Sequence, residues 1–306
     1  MKKLFTLLFL SFTIDTSAYT PPCVAMPVAG GTNGEVYELF NELIHVTYSD
    51  TLFVGGSFIQ VGSNGVAANN VAYITMVNGN YVWHKMGNGV NGPVHTITKF
   101  NGKLYVAGSF TQARGIAVNN IATWDGSNWA AVPFCNTGVI KDLEVSGGFL
   151  YAGGSFTGCA TPNPDANLYR TTNGTQWEGI GHSHQINSLM DQDDRILIAS
   201  KGITRKLHNG WVVGINNIDN KETMDIISYR DTLYASCKST ALNPTTDLLY
   251  RNYSNNWEPV VINSLNTSAI GNSFSTLFVD KDTLMASGIF TGNRGGYSSK
   301  SFQHYR

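Results

Sequence analysis

One short segment recurs six times at nearly regular spacing, and that recurrence restricts the chain to a repeat architecture. LFVGGSF begins at Leu52, LYVAGSF at Leu104 and LYAGGSF at Leu150, and weaker copies follow as LIASKG from Leu197, LYASCKS from Leu233 and LMASGIF from Leu284. These leucines are 52, 46, 47, 36 and 51 residues apart. Trp83, Trp129, Trp177, Trp211 and Trp257 keep step, at intervals of 46, 48, 34 and 46. Two markers with one shared period define a structural unit, because a unit this small must bury its apolar face against its neighbour.

The second unit divides into four strand-like pieces. Residues 94–98 read as the first strand, Asn101-Gly102 as a tight turn, and 104–110 as the second strand. A loop holding Arg114-Gly115 leads to the third at 120–124, and Asp125-Gly126 turns the chain into the fourth at 129–132. Asn-Gly and Asp-Gly pairs supply the positive φ that such hairpins need, and Asn78-Gly79, Asn173-Gly174 and Asn209-Gly210 repeat the signal. Four antiparallel strands at this period predict a propeller blade. The expected fold is therefore all-β: a single six-bladed β-propeller with four-stranded blades over residues 19–306. The last unit stops at 301–305, its third strand, whereas residues 26–34 parallel 85–92 at the other terminus. Residues 23–28 are thus expected to complete blade six, an N-terminal strand closing the ring and removing its open edge.

By the LYVGGSFT…NNIAxWDGSxW pattern the chain resembles secreted bacterial β-propeller repeats. It is related in pattern to fungal polarity-marker propellers, and more loosely to kelch repeats and the galactose-oxidase-type propeller. The glycine doublet of the kelch comparison survives at Gly55-Gly56 and Gly153-Gly154, with a longer spacing to the tryptophan. The resemblance covers the mature chain and implies a fold; it implies no activity, since propellers host enzymes, lectins and interaction hubs alike.

Lys2-Lys3 and the apolar run 4–12, followed by small residues at Thr16 and Ala18, read as a signal peptide over 1–18. The run is too short to span a bilayer, so a secreted or periplasmic protein without membrane insertion is expected. Formal net charge is −1 with 13% charged residues, about half the usual share, which leaves no electrostatic footprint for nucleic acid. Of the four cysteines, Cys135 with Cys159 is the favoured pair if one exists, among three possible connectivities. Cys23 follows Pro21-Pro22 rather than the aliphatic residues of a lipidation site, and Cys237 lies inside an apparent strand, as a buried thiol would.

Catalytic signals are weak. A copper oxidase needs converging imidazoles and a phenolate; Tyr234 lies near Cys237, but the histidines are scattered. Residues 171–177 resemble a degraded sialidase Asp-box, without the arginine triad that would clamp a carboxylate. Asp191, Asp193 and Asp194, and likewise Asp280 and Asp282, fall at strand turns and read as solvated turns rather than calcium ligands. His182 and His184 form an i, i+2 pair on a loop. No catalytic residue, metal or cofactor is assigned.

The first strand of each blade offers more. With Val36, Val94, Ile140, Ile186, Met224 and Phe274 as one apolar column, the following residues are Tyr37, His95, Lys141, Asn187, Asp225 and Ser275. Varied polar groups at one ring position near a channel mouth can read a ligand, or they can simply hydrate the channel. Glu38 and Asp142 stand one step further along, and their convergence with Asp225 would suit an enzyme. Loops between second and third strands (59–70, 111–120, 157–167, 238–247 and 291–299) carry Arg114, Asp165, Arg294 and Tyr297 to the rim. The expected function is a non-enzymatic binding or recognition module, a monomer, for protein or glycan partners. The alternatives are an extracellular carbohydrate-active enzyme and a structural component of an envelope assembly.

Overall fold

The computed structural model describes residues 30–42, 51–78, 80–134, 138–155, 167–182, 184–207, 210–212, 218, 221–238, 249–253, 256–260, 273–280, 283–289 and 303–305. They build strands and turns, and the chain divides into two compact units, Met1–Phe134 and Cys135–Arg306.

The first unit holds two four-stranded antiparallel meanders. Sheet one comprises Glu35–Glu42, Thr51–Ser57, Val71–Val77 and Asn80–Lys85; sheet two comprises Val94–Phe100, Lys103–Gly108, Ile121–Trp124 and Trp129–Ala131. Between second and third strands each sheet carries a short hairpin, Gln60–Val61 with Val66–Ala67 and Gln112–Ala113 with Ile116–Ala117. In the second unit, sheet three starts at Val139–Ser146, sheet four at Ser188–Asp191 and sheet five at Thr223–Tyr229, each four-stranded and in sequence order. Sheet six has three described strands, Ser273–Asp280, Thr283–Ile289 and Gln303–Tyr305. The strand expected at 23–28, the signal segment 1–18, and Cys23, Cys135 and Cys159 lie outside the described residues. Cys237 is a free, buried thiol.

Within each unit successive sheets pack through the first strand of the next. Gly55 shows why the glycine doublet is there: a Cβ at that position would lie 2.5 Å from Val94 Cγ1 of sheet two. Gly153 does the same in the second unit, where a Cβ would lie 2.7 Å from Ile186 Cγ2. Burial follows this seam. Val71, Val94, Ile97, Val106, Trp124 and Trp129 share one core cluster, and Tyr151, Leu168, Ile186, Leu189 and Ile198 share another. Each such aliphatic side chain contributes roughly 1.5–3 kcal/mol on burial.

The turn between first and second strands explains the cluster at Asp191, Asp193 and Asp194, whereas Asp282 of the second cluster lies outside the described residues. Asn101-Gly102 (φ 47° and 76°) and Gly147-Gly148 (φ 52° and 80°) have two consecutive left-handed residues, and so do Asp193-Asp194 (51° and 59°) and Arg230-Asp231 (48° and 59°). This is the backbone of a two-residue hairpin matched to strand twist. Asp193 and Asp194 are thus turn residues. The segment 171–177 is likewise a hairpin, with the Asn173 Oδ1 accepting from the backbone N–H of Thr175 and Gln176, as Asp125 Oδ1 does from Ser127 and Asn128.

Strand register corrects two alignments. Leu52, Leu104, Leu150, Leu233 and Leu284 each sit three residues before the partner of a residue that follows a bulge. In sheet four that place belongs to Ile196, paired with Asp191, rather than to Leu197. Residues 196–199 are all apolar, so alternation could not fix the register. In sheet five Thr223 pairs with Cys237 and the shift falls before Asp225, so Thr223 takes the place assigned to Met224. Met224 is the bulged residue there, and Asp225 stands one place further on.

Candidate functional site

The first strands of sheets one, two, three, five and six carry a β-bulge at one place, between Val36 and Glu38, Val94 and Thr96, Ile140 and Asp142, Thr223 and Asp225, and Phe274 and Thr276. A bulge re-aims the extra side chain and is common beside binding sites. The bulged residues are Tyr37, His95, Lys141, Met224 and Ser275, with Asn187 at the matching position of sheet four, where its N–H joins Ser188 opposite Ala199.

In the first unit Tyr37 and His95 form a pair, ring centroids 5.5 Å apart. The Tyr37 hydroxyl donates to Glu35 Oε2 at 2.9 Å, and His95 Nε2 lies 2.9 Å from Ser109 Oγ. Burial, with Glu35 beside it, raises the Tyr37 phenol above its ordinary value. In the second unit Lys141 is half-buried and makes no hydrogen bond or ion pair with a described residue. The Asn187 side chain is engaged by its neighbours: its Nδ2 donates to Thr223 O of sheet five at 2.9 Å and its Oδ1 accepts from Gln185 Nε2 at 3.0 Å.

One place beyond the bulge stand Glu38, Asp142 and Asp225, and the latter two act as struts between sheets. Asp142 Oδ2 accepts from the Leu189 N–H of sheet four at 2.7 Å, while Oδ1 accepts from Leu143 N at 2.8 Å. Asp225 Oδ2 accepts from Leu277 N of sheet six at 2.7 Å, and its Oδ1 accepts from Ile226 N and Ser188 Oγ, both at 2.8 Å. Burial nevertheless pushes the Asp225 carboxyl up to about 6, against those donors. Two residues on, Glu144 continues the pattern by accepting the Asp191 backbone N–H of sheet four. Its carboxyl is pushed up to about 8, by burial first and then by the charges of Asp142 and Asp191.

His182 and His184 meet edge-on at 6.1 Å between ring centroids, and His182 Nε2 lies 3.0 Å from Ser200 Oγ. Burial, then the neighbouring His184, lowers His182 to about 4. Among the described residues no three His, Cys, Asp or Glu side chains come together as a metal would need.

The rim hairpins of the first unit make a groove. Its volume is about 500 Å³, and Asn69, Asn88, Gln112, Arg114, Ile59 and Asn91 are among its lining residues. The scaffold beneath repeats in both sheets. Asn33 Oδ1 accepts from Ile59 N and Gln60 N, and Asn91 Oδ1 accepts from Thr111 N and Gln112 N. Gly62 N donates to Gly31 O, and at the matching place Arg114 N donates to Gly89 O. Asn69 and Asn70 brace the groove floor, donating from Nδ2 to Asn88 O and Val90 O at 2.8 Å each. The amides of Asn88 and Gln112 make no hydrogen bond with a described residue.

Arg114 is thus the one rim residue expected from the sequence that the structure places at a cavity. Asp165, Arg294 and Tyr297 lie outside the described residues, and nothing is described of the Ser275 side chain. Gln112 and Asn88 escaped notice because Asn and Gln in a repeated loop look like scaffold, as Asn33 and Asn91 indeed are.

No protein-family model and no curated protein matches the chain. Among solved structures it is similar to the extracellular domain of a proposed one component system from B. thetaiotaomicron, with a TM-score of 0.51, 10% identity, and 89% of this chain and 33% of that one covered. It is also similar to the extracellular domain of a proposed hybrid two component system from the same organism, with a TM-score of 0.50, 11% identity, and 86% and 38% covered. The chain spans about a third of the length of those structures. At such identity the likeness is one of fold: an all-β chain of repeated four-stranded antiparallel sheets, akin to extracellular domains. No helix among the described residues is long and apolar enough to cross a membrane.

Proposed function

We propose that the chain is a non-catalytic extracellular recognition module that binds a protein or glycan partner through the loops at the rim of its sheets. The groove of the first unit carries this reading: a cavity of about 500 Å³ whose guanidinium and amides are held on a rigid, repeated scaffold. Volumes of this size suit small ligands or short polymer segments. The similarity to extracellular domains of proposed one component and hybrid two component systems supports the same reading. We further infer a six-bladed, kelch-like propeller, reached after cleavage of residues 1–18 and closed by residues 23–28 beside sheet six; the five four-stranded sheets and the three described strands of the sixth support it.

The carboxylates argue against the hydrolytic alternative. A glycosidase needs two carboxyl groups converging on the scissile bond, whereas Asp142 and Asp225 each accept a backbone N–H of the neighbouring sheet, from Leu189 and Leu277, and serve as struts. The test is a screen of the purified chain against glycan and protein arrays, with hits assayed for both saturation and turnover. Saturable binding without turnover is expected. Cleavage of a bound glycan, or an empty screen, would overturn the reading.

A further inference from the structure

We propose that the groove of the first unit takes an acidic oligosaccharide, with Arg114 receiving a uronate carboxylate and the amides of Asn69, Asn88 and Gln112 receiving its hydroxyls. The inference rests on the recognition reading above and names its ligand.

Arg114 is the cation of the groove. Its backbone is left-handed, φ 49°, at the place where the hairpin of sheet one has Gly62, φ 74°. That conformation suits glycine and penalises a side chain, so an arginine there is a departure from the repeat in favour of its side chain. The guanidinium is exposed and meets no carboxylate among the described residues; one Nη1 contact to the neutral Asn128 Oδ1, at 3.4 Å, is long. A planar fork of free N–H donors fits a carboxylate bidentately.

The rest of the lining is uncharged. No acidic side chain lines the groove, so nothing repels an anion or competes for Arg114. Asn88 and Gln112 offer both donors and acceptors, and Asn69, whose Nδ2 is used on Asn88 O, keeps its Oδ1 as an acceptor. Hydroxyls donate and accept at one atom, so adjacent amides match vicinal diols. Ile59, 61% exposed, is the apolar surface at one side, enough for the C–H face of a sugar ring. An acidic peptide would share the carboxylate, but peptide recognition relies on pockets for side-chain anchors or on a free strand edge, and the groove is an open, amide-lined surface.

Calorimetric titration of the whole chain with trigalacturonate, neutral galactotriose and an acetylated tetrapeptide of aspartates tests this. Trigalacturonate is expected to bind, more weakly as salt rises, and galactotriose at least tenfold more weakly. Arg114→Gly should lower trigalacturonate affinity at least tenfold while the chain melts no earlier than the parent; Gln112→Ala should lower affinity for both saccharides. Equal binding of the two saccharides, tighter binding of the peptide, or full affinity in Arg114→Gly would overturn the ligand assignment and leave the recognition reading standing. No binding here together with an empty array screen would overturn both.

Discussion

Asp225 offers the sharpest test of the strut between sheets five and six. Asp225→Ala leaves the N–H groups of Leu277 and Ile226 and the Ser188 hydroxyl without their acceptor. Each abandoned donor in a half-buried site costs about 1 kcal/mol, so the loss should reach about 3 kcal/mol. That figure holds at low pH. Because the folded carboxyl titrates at about 6 against an ordinary 3.8, the native state keeps a proton that the unfolded chain has released between those values. Its stabilising contribution is full below pH 3.8 and fades as pH rises through 6, by about 3 kcal/mol. The alanine variant has no such fade. The gap between parent and Asp225→Ala should therefore be about 3 kcal/mol near pH 4 and shrink toward zero by pH 7.5, because burying the charge then offsets the bonds that it accepts. Urea unfolding at five pH values, with Asp225→Asn as a non-titrating control that retains one acceptor, measures the gap. A gap absent at pH 4, or one that widens as pH rises, would refute the reasoning.

Further expectations follow from particular contacts. Gly153→Ala should cost about 1–3 kcal/mol by overpacking, since its Cβ would meet Ile186 Cγ2 at 2.7 Å; combined with Ile186→Ala, the coupling measured by denaturation should be favourable by roughly 1 kcal/mol. Arg114→Gly should raise stability by about 0.5 kcal/mol, the relief of a left-handed side-chain residue net of glycine's extra unfolded entropy, and a lowered melting temperature would count against the strain argument. Glu144, pushed up to about 8 from an ordinary 4.5, should make stability fall as pH rises between those values. Glu144→Gln should flatten that part of the pH–stability curve, and an unchanged slope would show that the group is not buried as described.

Much of this architecture is written locally in the chain, and the parts that are not have physical reasons. The paired Asn-Gly and Asp-Gly turns could be read directly, because positive φ is a property of the residues themselves. Register in sheet four could not: 196–199 is apolar throughout and carries no period-2 phase, which hid Ile196 behind Leu197. In sheet five a polar Thr223 fills the core place and an apolar Met224 the bulged place, the reverse of the polarity elsewhere, and this hid Asp225 in the polar column although it holds the strut position that Asp142 holds in sheet three. Arg114 was legible as a rim residue because it is the only charged residue in the loop 111–120. Its neighbours in the groove were not, since an asparagine that caps backbone, such as Asn91, and one left open, such as Asn88, look alike in sequence.

Titrating the strongest array hit against the parent chain, Gln112→Ala/Arg114→Gly and Lys141→Ala separates the groove of the first unit from the bulged first strands most directly. A groove site predicts at least a tenfold loss in the groove variant and affinity within twofold of the parent for Lys141→Ala. Loss confined to Lys141→Ala, with the groove variant binding normally, would contradict it.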